Sequence, residues 1–490
     1  MEANGQNTTR SAQIKELYVF NSKFGNDTDN EMGKVLYCYP GDTTHPDTQL
    51  KEIGLCEAIV KFAQTFNSKE PCDSLHTLKL RHVYYQPEDG YWFILVLSVP
   101  SVVKSSPDGV ECVEYLDDQI QDTVFHAILK RLYEKFVLLN DKFETMVQEI
   151  GLVELRTRLK KCYDIWVQRI DVNQSGIADI FRGLQFLPLS RDAFLRVQCF
   201  INHLVVSWPQ IKHVVLLQRE KLIWSGVDQS HIQLLYDYLV NDLLSQHFLS
   251  GVDKQSTFGV IMKRESHLTL GSSSSSTLTQ FQPPGSITNS RSQSLNASQS
   301  EDDDNASFIT ASSSHTINGQ KMSSKFHMLI YKAEQTYLTI LIPGSSTFDR
   351  QYISKIEGFL NLNFTSIARD LSKVYRLSSG SGLSNGMDNQ SGVKYIYFNN
   401  LNFAEKICPG YQCDLEAYKL LTDLKQDLSK MNENGEIITK MVSDNWLVAK
   451  VSNKREFYAI FNHKNSNLLE IDEEMRKLTE DHLRNIFFQE

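Results

Sequence analysis

Apolar and polar positions along the first third of the chain follow a short, repeating order of strands and helices. Strand-like runs at Glu16–Asn21 and Lys34–Tyr39 come first. Ile53, Cys56, Ile59/Val60, Ala63 and Phe66 then recur at helical spacing and predict an amphipathic helix. Leu78, Leu80 and Val83 give a half-buried strand within Thr77–Gln86, and Tyr91–Val99 is almost wholly apolar. Between them Gln86-Pro87-Glu88-Asp89-Gly90 is a turn by composition. Val113–Tyr115 is expected to supply a fifth strand. Two helices close the unit, one marked by Ile120, Val124, Ile128, Leu132, Phe136 and Leu139, the other by Leu155, Leu159, Trp166 and Ile170. Two strands, a helix, three strands and then helices do not make a βαβ array. The order predicts an α+β fold, a small antiparallel sheet flanked by helices.

The order recurs. A helix through Phe194, Val197, Ile201 and Leu204 precedes a hairpin, Val214–Gln218 with Lys221–Trp224, and a helix through Ile232, Leu235, Leu239 and Leu243. Strands at Phe326–Ala333 and Tyr337–Pro343 and one helix from Ile353 to Val374 complete this second unit. A third unit has a strand at Val393–Phe398, a helix through Leu415, Leu421, Leu424 and Leu428, and strand-like runs at Glu436–Met441, Trp446–Val451 and Glu456–Asn462. A last helix covers roughly Asp472 to Ile486, its early acids opposing the helix dipole favourably. Residues 251–324, with the serine run Ser272–Ser276, hold too few apolar groups to offset chain entropy and are expected to be disordered, an insert inside the second unit. A shorter polar break covers Ser378–Gly392. The expected domains are therefore 13–172, 190–377 with the insert at 251–324, and 393–490.

Composition narrows the function mainly by exclusion. The 490 residues carry a net charge of −9 with acids and bases well mixed, which argues against a nucleic-acid binder. No run reaches the roughly 18–20 apolar residues that span a bilayer, and the polar N-terminus lacks the apolar region of a secretory leader. The eight cysteines form no Cys-x-x-Cys pair, so free thiols in a reducing, intracellular compartment are expected. No P-loop, Gly-x-Ser-x-Gly elbow, His-Glu-x-x-His helix or kinase signature set occurs, and neither covalent catalysis nor a cofactor or metal is expected. Asp171, Asn173, Ser175 and Gly176 fit the early positions of a calcium loop, but its twelfth position is Arg182, a cation where the bidentate glutamate belongs. His76 reads as a packing or surface histidine rather than a general base, and Trp224 as a strand-end core aromatic. Ser300, just before Glu301-Asp302-Asp303, stands in an acidic context suited to phosphorylation.

Several stretches carry a resemblance along nearly the whole chain. They are Gly54-Leu55-Cys56-Glu57-Ala58-Ile59-Val60, Ser74-Leu75-His76-Thr77, Phe186-Leu187-Pro188-Leu189, Leu222-Ile223-Trp224-Ser225-Gly226, Asn402-Phe403-Ala404-Glu405-Lys406 and Asn485-Ile486-Phe487-Phe488. In order and spacing they resemble the tri-longin-domain Ccz-one family. The resemblance implies three longin-like domains, each a five-stranded antiparallel sheet flanked by helices. It also implies a heterodimer with a Mon-one subunit that acts as guanine nucleotide exchange factor for the late-endosomal Rab GTPase of the Rab-seven class. A third regulatory subunit in animals, and membrane contact only through the complex, are further expectations. Gly54, Leu55, Cys56 and Glu57 of the first helix, with Ser74, Leu75, His76 and Thr77 at the next strand, are the expected surface for the partner or the GTPase. The competing reading is a longin-type adaptor or tethering scaffold without exchange activity, and an enzyme would require a concave pocket of convergent titratable groups.

Overall fold

The computed structural model describes residues 8–25, 31–41, 46–66, 72–105, 111–245, 259–270, 324–346, 350–380, 393–408, 415–431, 434–463 and 465–483. Much of the 251–324 tract, Ser300, most of the Ser378–Gly392 break and Asn485–Phe488 lie outside these residues.

The first module runs β1 (Thr8–Arg10), β2 (Gln13–Asn21), β3 (Val35–Tyr39), α1 (Pro46–Phe66), β4 (Ser74–His76), β5 (Leu80–Glu88), β6 (Tyr91–Ser98), β7 (Ser101–Ser105) and β8 (Glu111–Tyr115). Then come α2 (Asp122–Leu139), α3 (Phe143–Ile150) and α4 (Leu152–Gln168). Its main sheet has the order β3-β2-β6-β5-β4, antiparallel throughout. The almost wholly apolar β6 lies at the centre because a strand buried on both faces needs no alternation. One face packs α2, α3 and α4 through Phe93, Leu95, Phe136, Phe143 and Tyr163. The other packs α1 through Tyr18, Ile53, Cys56, Val60 and Trp92.

Two expectations change here. The fifth strand of this sheet is β4, while the run at Val113–Tyr115 belongs to β8, which pairs with β7 in a separate three-stranded sheet, β1-β7-β8. Leu78 is not a strand residue: it sits 69% exposed in the turn between β4 and β5.

A short helix, α5 (Ile177–Phe181), follows the first module; then come α6 (Arg191–Ser207), β9 (His213–Gln218), β10 (Lys221–Ser225) and α7 (Gln229–Asp237), which ends in a π-helical turn, Tyr238–Leu243. The second sheet is completed by β11 (Gly259–Leu270), β12 (Ser324–Ala333) and β13 (Thr336–Pro343), in the order β10-β9-β13-β12-β11. The strand β11 corrects the reading of 251–324 as wholly disordered. An edge strand is held by the ladder to its neighbour, here Gly259↔Lys332 through Leu270↔Ser324, so the polar tract around it is no bar to it. The helix expected from Ile353 to Val374 is two, α8 (Arg350–Asn363) and α9 (Thr365–Gly380), with buried Phe364 at the break.

The third module runs β14 (Lys394–Asn399), β15 (Glu405–Ile407), α10 (Leu415–Lys430), β16 (Gly435–Lys440), β17 (Trp446–Ser452), β18 (Arg455–Phe461) and α11 (Leu468–Leu483), with sheet order β15-β14-β18-β17-β16. Counted within each module, all three sheets share the order 2-1-5-4-3.

Contacts gather the chain into two compact units. One holds residues 1–185, 233–249 and 378–481; the other holds 186–232, 250–377 and 482–490. In the first unit α5 completes the core of the third sheet. Ile177 and Phe181 join Phe398, Leu421, Leu447 and Tyr458, and the Phe181 and Phe398 rings stack at 4.6 Å. Leu184 then bridges Ala404 at the edge of that sheet. Gly183 is required there, since any Cβ would collide with the Glu405 side chain.

Candidate partner-docking surface

A helix that covers one face of a sheet needs a single apolar stripe; α1 has two. The inner stripe, Ile53, Cys56 and Val60, is at most 4% exposed and packs on the sheet. Leu55 at 61%, Phe62 at 66% and Phe66 at 77% lie exposed on the outer side, where no described residue covers them to a comparable degree. The Phe62 and Phe66 rings meet edge to face at 4.9 Å, so the two aromatics form one ridge. Gly54 is also outward, and a Cβ built on it meets nothing within 4 Å. The periodicity that predicted this helix counted Phe66 with the core, and the structure places it on the opposite side.

The eight expected surface residues therefore divide. Gly54 and Leu55 face outward. Cys56 does not: its side chain is in the core, and burial pushes its thiol up to about 11, so it offers a partner neither surface nor a reactive thiolate. Glu57 is held between Lys34 at 3.5 Å and Lys61 at 2.6 Å, with only 12% of its side chain exposed. Leu75 is partly buried against the α1-side core.

Ser74 and His76 join a cluster that no local reading of the sequence reveals, because its members come from β4, β5 and the start of α2. The Ser74 hydroxyl donates to Asp122 Oδ2 at 2.6 Å, and His76 Nε2 lies 2.7 Å from the same oxygen. Arg81, 3% exposed, pairs with Asp122 Oδ1 and, at 2.7 Å, with Asp117 Oδ1. Burial alone would raise the Asp122 carboxyl, but the hydrogen bonds from Ser74, His76 and Arg81 and the guanidinium charge outweigh it and hold the group low. Ser74 Oγ is 3.3 Å from His76 Nε2, yet its proton points at the carboxylate. That is the wrong direction for a nucleophile activated by imidazole. The cluster is a fastener, and it continues outward: Asp118 pairs with Lys419 of α10, and Gln121 Nε2 donates to the Lys419 carbonyl at 2.7 Å. Thr77 closes the β4–β5 turn by donating to the Leu80 carbonyl at 2.7 Å.

Another recess of this unit is closed electrostatically. A cavity of about 400 Å³ is lined by Arg131, Lys135, Trp166 and Arg169. Their charges are already spent on Asp179, Asp237 and Asp242, with Lys135 3.1 Å from Asp237 and 2.7 Å from Asp242. The calcium-like loop is a polar connection: Asp171 accepts from the Asn173 amide at 3.0 Å, and Arg182 pairs with Glu134 at 2.5 Å. Among the described residues no group of three or more acidic, histidine or cysteine side chains forms a metal site, and no helix is long and apolar enough to cross a membrane.

Family models match the three modules in order. The first longin domain of INTU, CCZ1 and HPS4 matches residues 14–141, Intu longin-like domain 2 matches 211–361, and Intu longin-like domain 3 matches 389–478. A vacuolar fusion protein CCZ1 homolog from Xenopus laevis is 31% identical over 494 aligned residues, 99% of each chain. Its counterpart from Nematostella vectensis is 32% identical over 97% of this chain and 98% of the relative, and that from Dictyostelium discoideum 26% identical over 96% of each. The three sheets are thus those of three longin-like domains.

Proposed function

The chain belongs to the vacuolar fusion protein CCZ1 family, and from that premise we propose that it is one subunit of a heterodimeric guanine nucleotide exchange factor. Its partner subunit is Mon-one, and its target is the late-endosomal Rab GTPase of the Rab-seven class. The complex is recruited peripherally to late-endosomal and lysosomal membranes, where it serves endosome maturation, vesicle fusion and autophagy; in animals a third regulatory subunit joins it.

The observation that carries this reading is the second apolar stripe of α1. Leu55, Phe62 and Phe66 on one helix make a contiguous exposed patch of the kind that marks a protein interface. An exchange factor needs such surfaces and no bond-making residue. It acts by binding the nucleotide-free GTPase more tightly than the loaded form, since only a differential affinity shifts the equilibrium. Holding the switch segments in an arrangement that no longer supports Mg²⁺ and phosphate is the usual physical route. Ser74 and His76 support this function indirectly, by fixing β4, the strand that follows the docking helix, to the start of α2.

The test is release of a fluorescent GDP analogue from the Rab GTPase, with this chain, with Mon-one and with both. Acceleration by the pair alone, reduced at least tenfold by Leu55→Asp, is the expected result. A stable pair that leaves release unchanged would overturn the exchange reading and leave an adaptor or tethering scaffold that uses the same face.

A further inference from the structure

The outer stripe of α1 ends at an acidic pair for which the described residues supply no counter-ion. Glu52, Leu55, Ile59, Phe62 and Phe66 follow one another at intervals of three, four, three and four residues. That spacing averages 3.5, the period of a seam between two packed helices. Glu52 occupies the N-terminal position of the seam, and the Tyr18 hydroxyl donates to its Oε2. Glu16 stands two residues before Tyr18 on β2, so both side chains emerge on one face of the sheet.

The groups around the two carboxylates are neutral or acidic. Tyr18 comes from β2, Cys38 from β3, Cys56 from α1 and His82 from β5. Burial, and after it the Glu52 charge, raises the Glu16 carboxyl, against the Tyr18 hydrogen bond that lowers it. Burial with both carboxylates pushes the Cys38 thiol up to about 12. Burial lowers His82, and the opposing Glu52 charge does not overcome it. No cation is among the groups that act on Glu16, and among the described residues neither Glu16 nor Glu52 forms an ion pair. Several other carboxylates of the unit do have one: Asp122 has Arg81, Asp237 has Lys135 and Glu456 has Lys425. Glu57, one turn further along α1, has Lys34 and Lys61.

We propose that Glu16 and Glu52 receive an arginine or lysine from a helix of the Mon-one subunit that packs along the Leu55–Phe66 stripe. The inference rests on the heterodimer reading and adds what it lacks, the chemistry of the partner: a helix with an apolar stripe of the same spacing and a cation at the end that meets Glu52. An obligate subunit fits this face better than a GTPase that comes and goes. Permanently covered interfaces are the more apolar ones, and a stripe of Leu, Ile and two Phe is costly to expose between encounters. A cation set between two half-buried carboxylates also gives register, which an apolar stripe alone leaves free to slip.

The experiment uses the full chain co-purified with Mon-one and reads the dissociation rate of the pair across a salt series. The double substitution E16Q/E52Q keeps the shape of both side chains and an acceptor for the Tyr18 hydroxyl. It is expected to speed dissociation at least tenfold at low salt and to flatten the salt dependence, while the thermal midpoint of the isolated chain stays the same or rises. A rate and salt slope unchanged by E16Q/E52Q, with dissociation accelerated by the double substitution L55D/F62D, would overturn the cation site and leave the heterodimer reading standing. If L55D/F62D also leaves the pair intact, the partner helix lies elsewhere and the inference fails together with that use of α1. If no pair forms with the unsubstituted chain, it is the heterodimer reading that fails.

Discussion

α1 and α10 occupy the same place in their modules, each joining the second strand of a sheet to the third and covering one face of it. Their inner faces are alike. Ile53, Cys56 and Val60 pack the first sheet, and Ala417, Leu421 and Leu428 pack the third. Their outer faces are not. α10 turns Asp423, Gln426, Asp427 and Lys430 to solvent, the polar back of an ordinary surface helix. α1 turns Leu55, Phe62 and Phe66 outward. Since one topology supports both, the fold does not ask for the outer stripe of α1.

The comparison can be broken from either end. On α10 the effect belongs to stability. Leu421 is fully buried, and Leu421→Ala is expected to cost about 2–5 kcal/mol in denaturant unfolding through lost burial and the cavity left behind. A loss below 1 kcal/mol would mean that α10 does not hold the third core. A smaller effect is expected nearby at Glu456. Burial would raise its carboxyl, but the Lys425 charge, with hydrogen bonds from Lys425, Tyr458 and Asn400, holds it below the ordinary value of 4.5. A depressed carboxylate contributes stability that is fully present above that value and fades as the pH falls below it, through the native one. Glu456→Gln should therefore cost roughly 1.5–3 kcal/mol at neutral pH, and the difference from the unsubstituted chain should shrink in acid. An equal difference at pH 7 and at low pH would show that the charge is not the stabilising element. The smallest effect on stability is expected on the outer face of α1. Phe62→Ser should change the unfolding free energy of the isolated chain by no more than about 0.5 kcal/mol, and the salient readout is solubility, which should rise. A large destabilisation would make the outer stripe part of this chain's own core.

Period and composition made the strands and helices of all three modules legible, because a half-buried sheet and its covering helix write their apolar positions at intervals of two and of three or four. They did not tell the faces of α1 apart. Two apolar stripes overlap there, and spacing alone joined Phe66 to Ile53 although the two point to opposite sides. Short elements escaped for a related reason: β15 has three residues and α5 five, too few for a period to register. The strand β11 escaped because its apolar residues, Val260, Ile261, Met262, Leu268 and Leu270, lie inside a tract that is polar as a whole. The fastener at Asp122 joins residues some forty positions apart and has no local signature. Leu55 and Gly54 were legible as surface through the family resemblance, and the Glu16–Tyr18–Glu52 grouping needed the sheet to bring β2 under α1.

Phe181 stacks on Phe398, under the ammonium of Lys425, which lies 4.4 Å from its ring. On the ribosome those partners are made about two hundred residues after it. At translation rates of roughly 5–20 residues per second, α5 must wait on the order of 10–40 s for the sheet it completes. Throughout that interval α5 is tied to α2 by Arg131–Asp179 and Arg182–Glu134 but Phe181 lacks its partner rings, a natural hold for a chaperone. A chain that stops before the third module would keep that hold indefinitely, so truncated products should be recognised and cleared rather than persist as a working first domain.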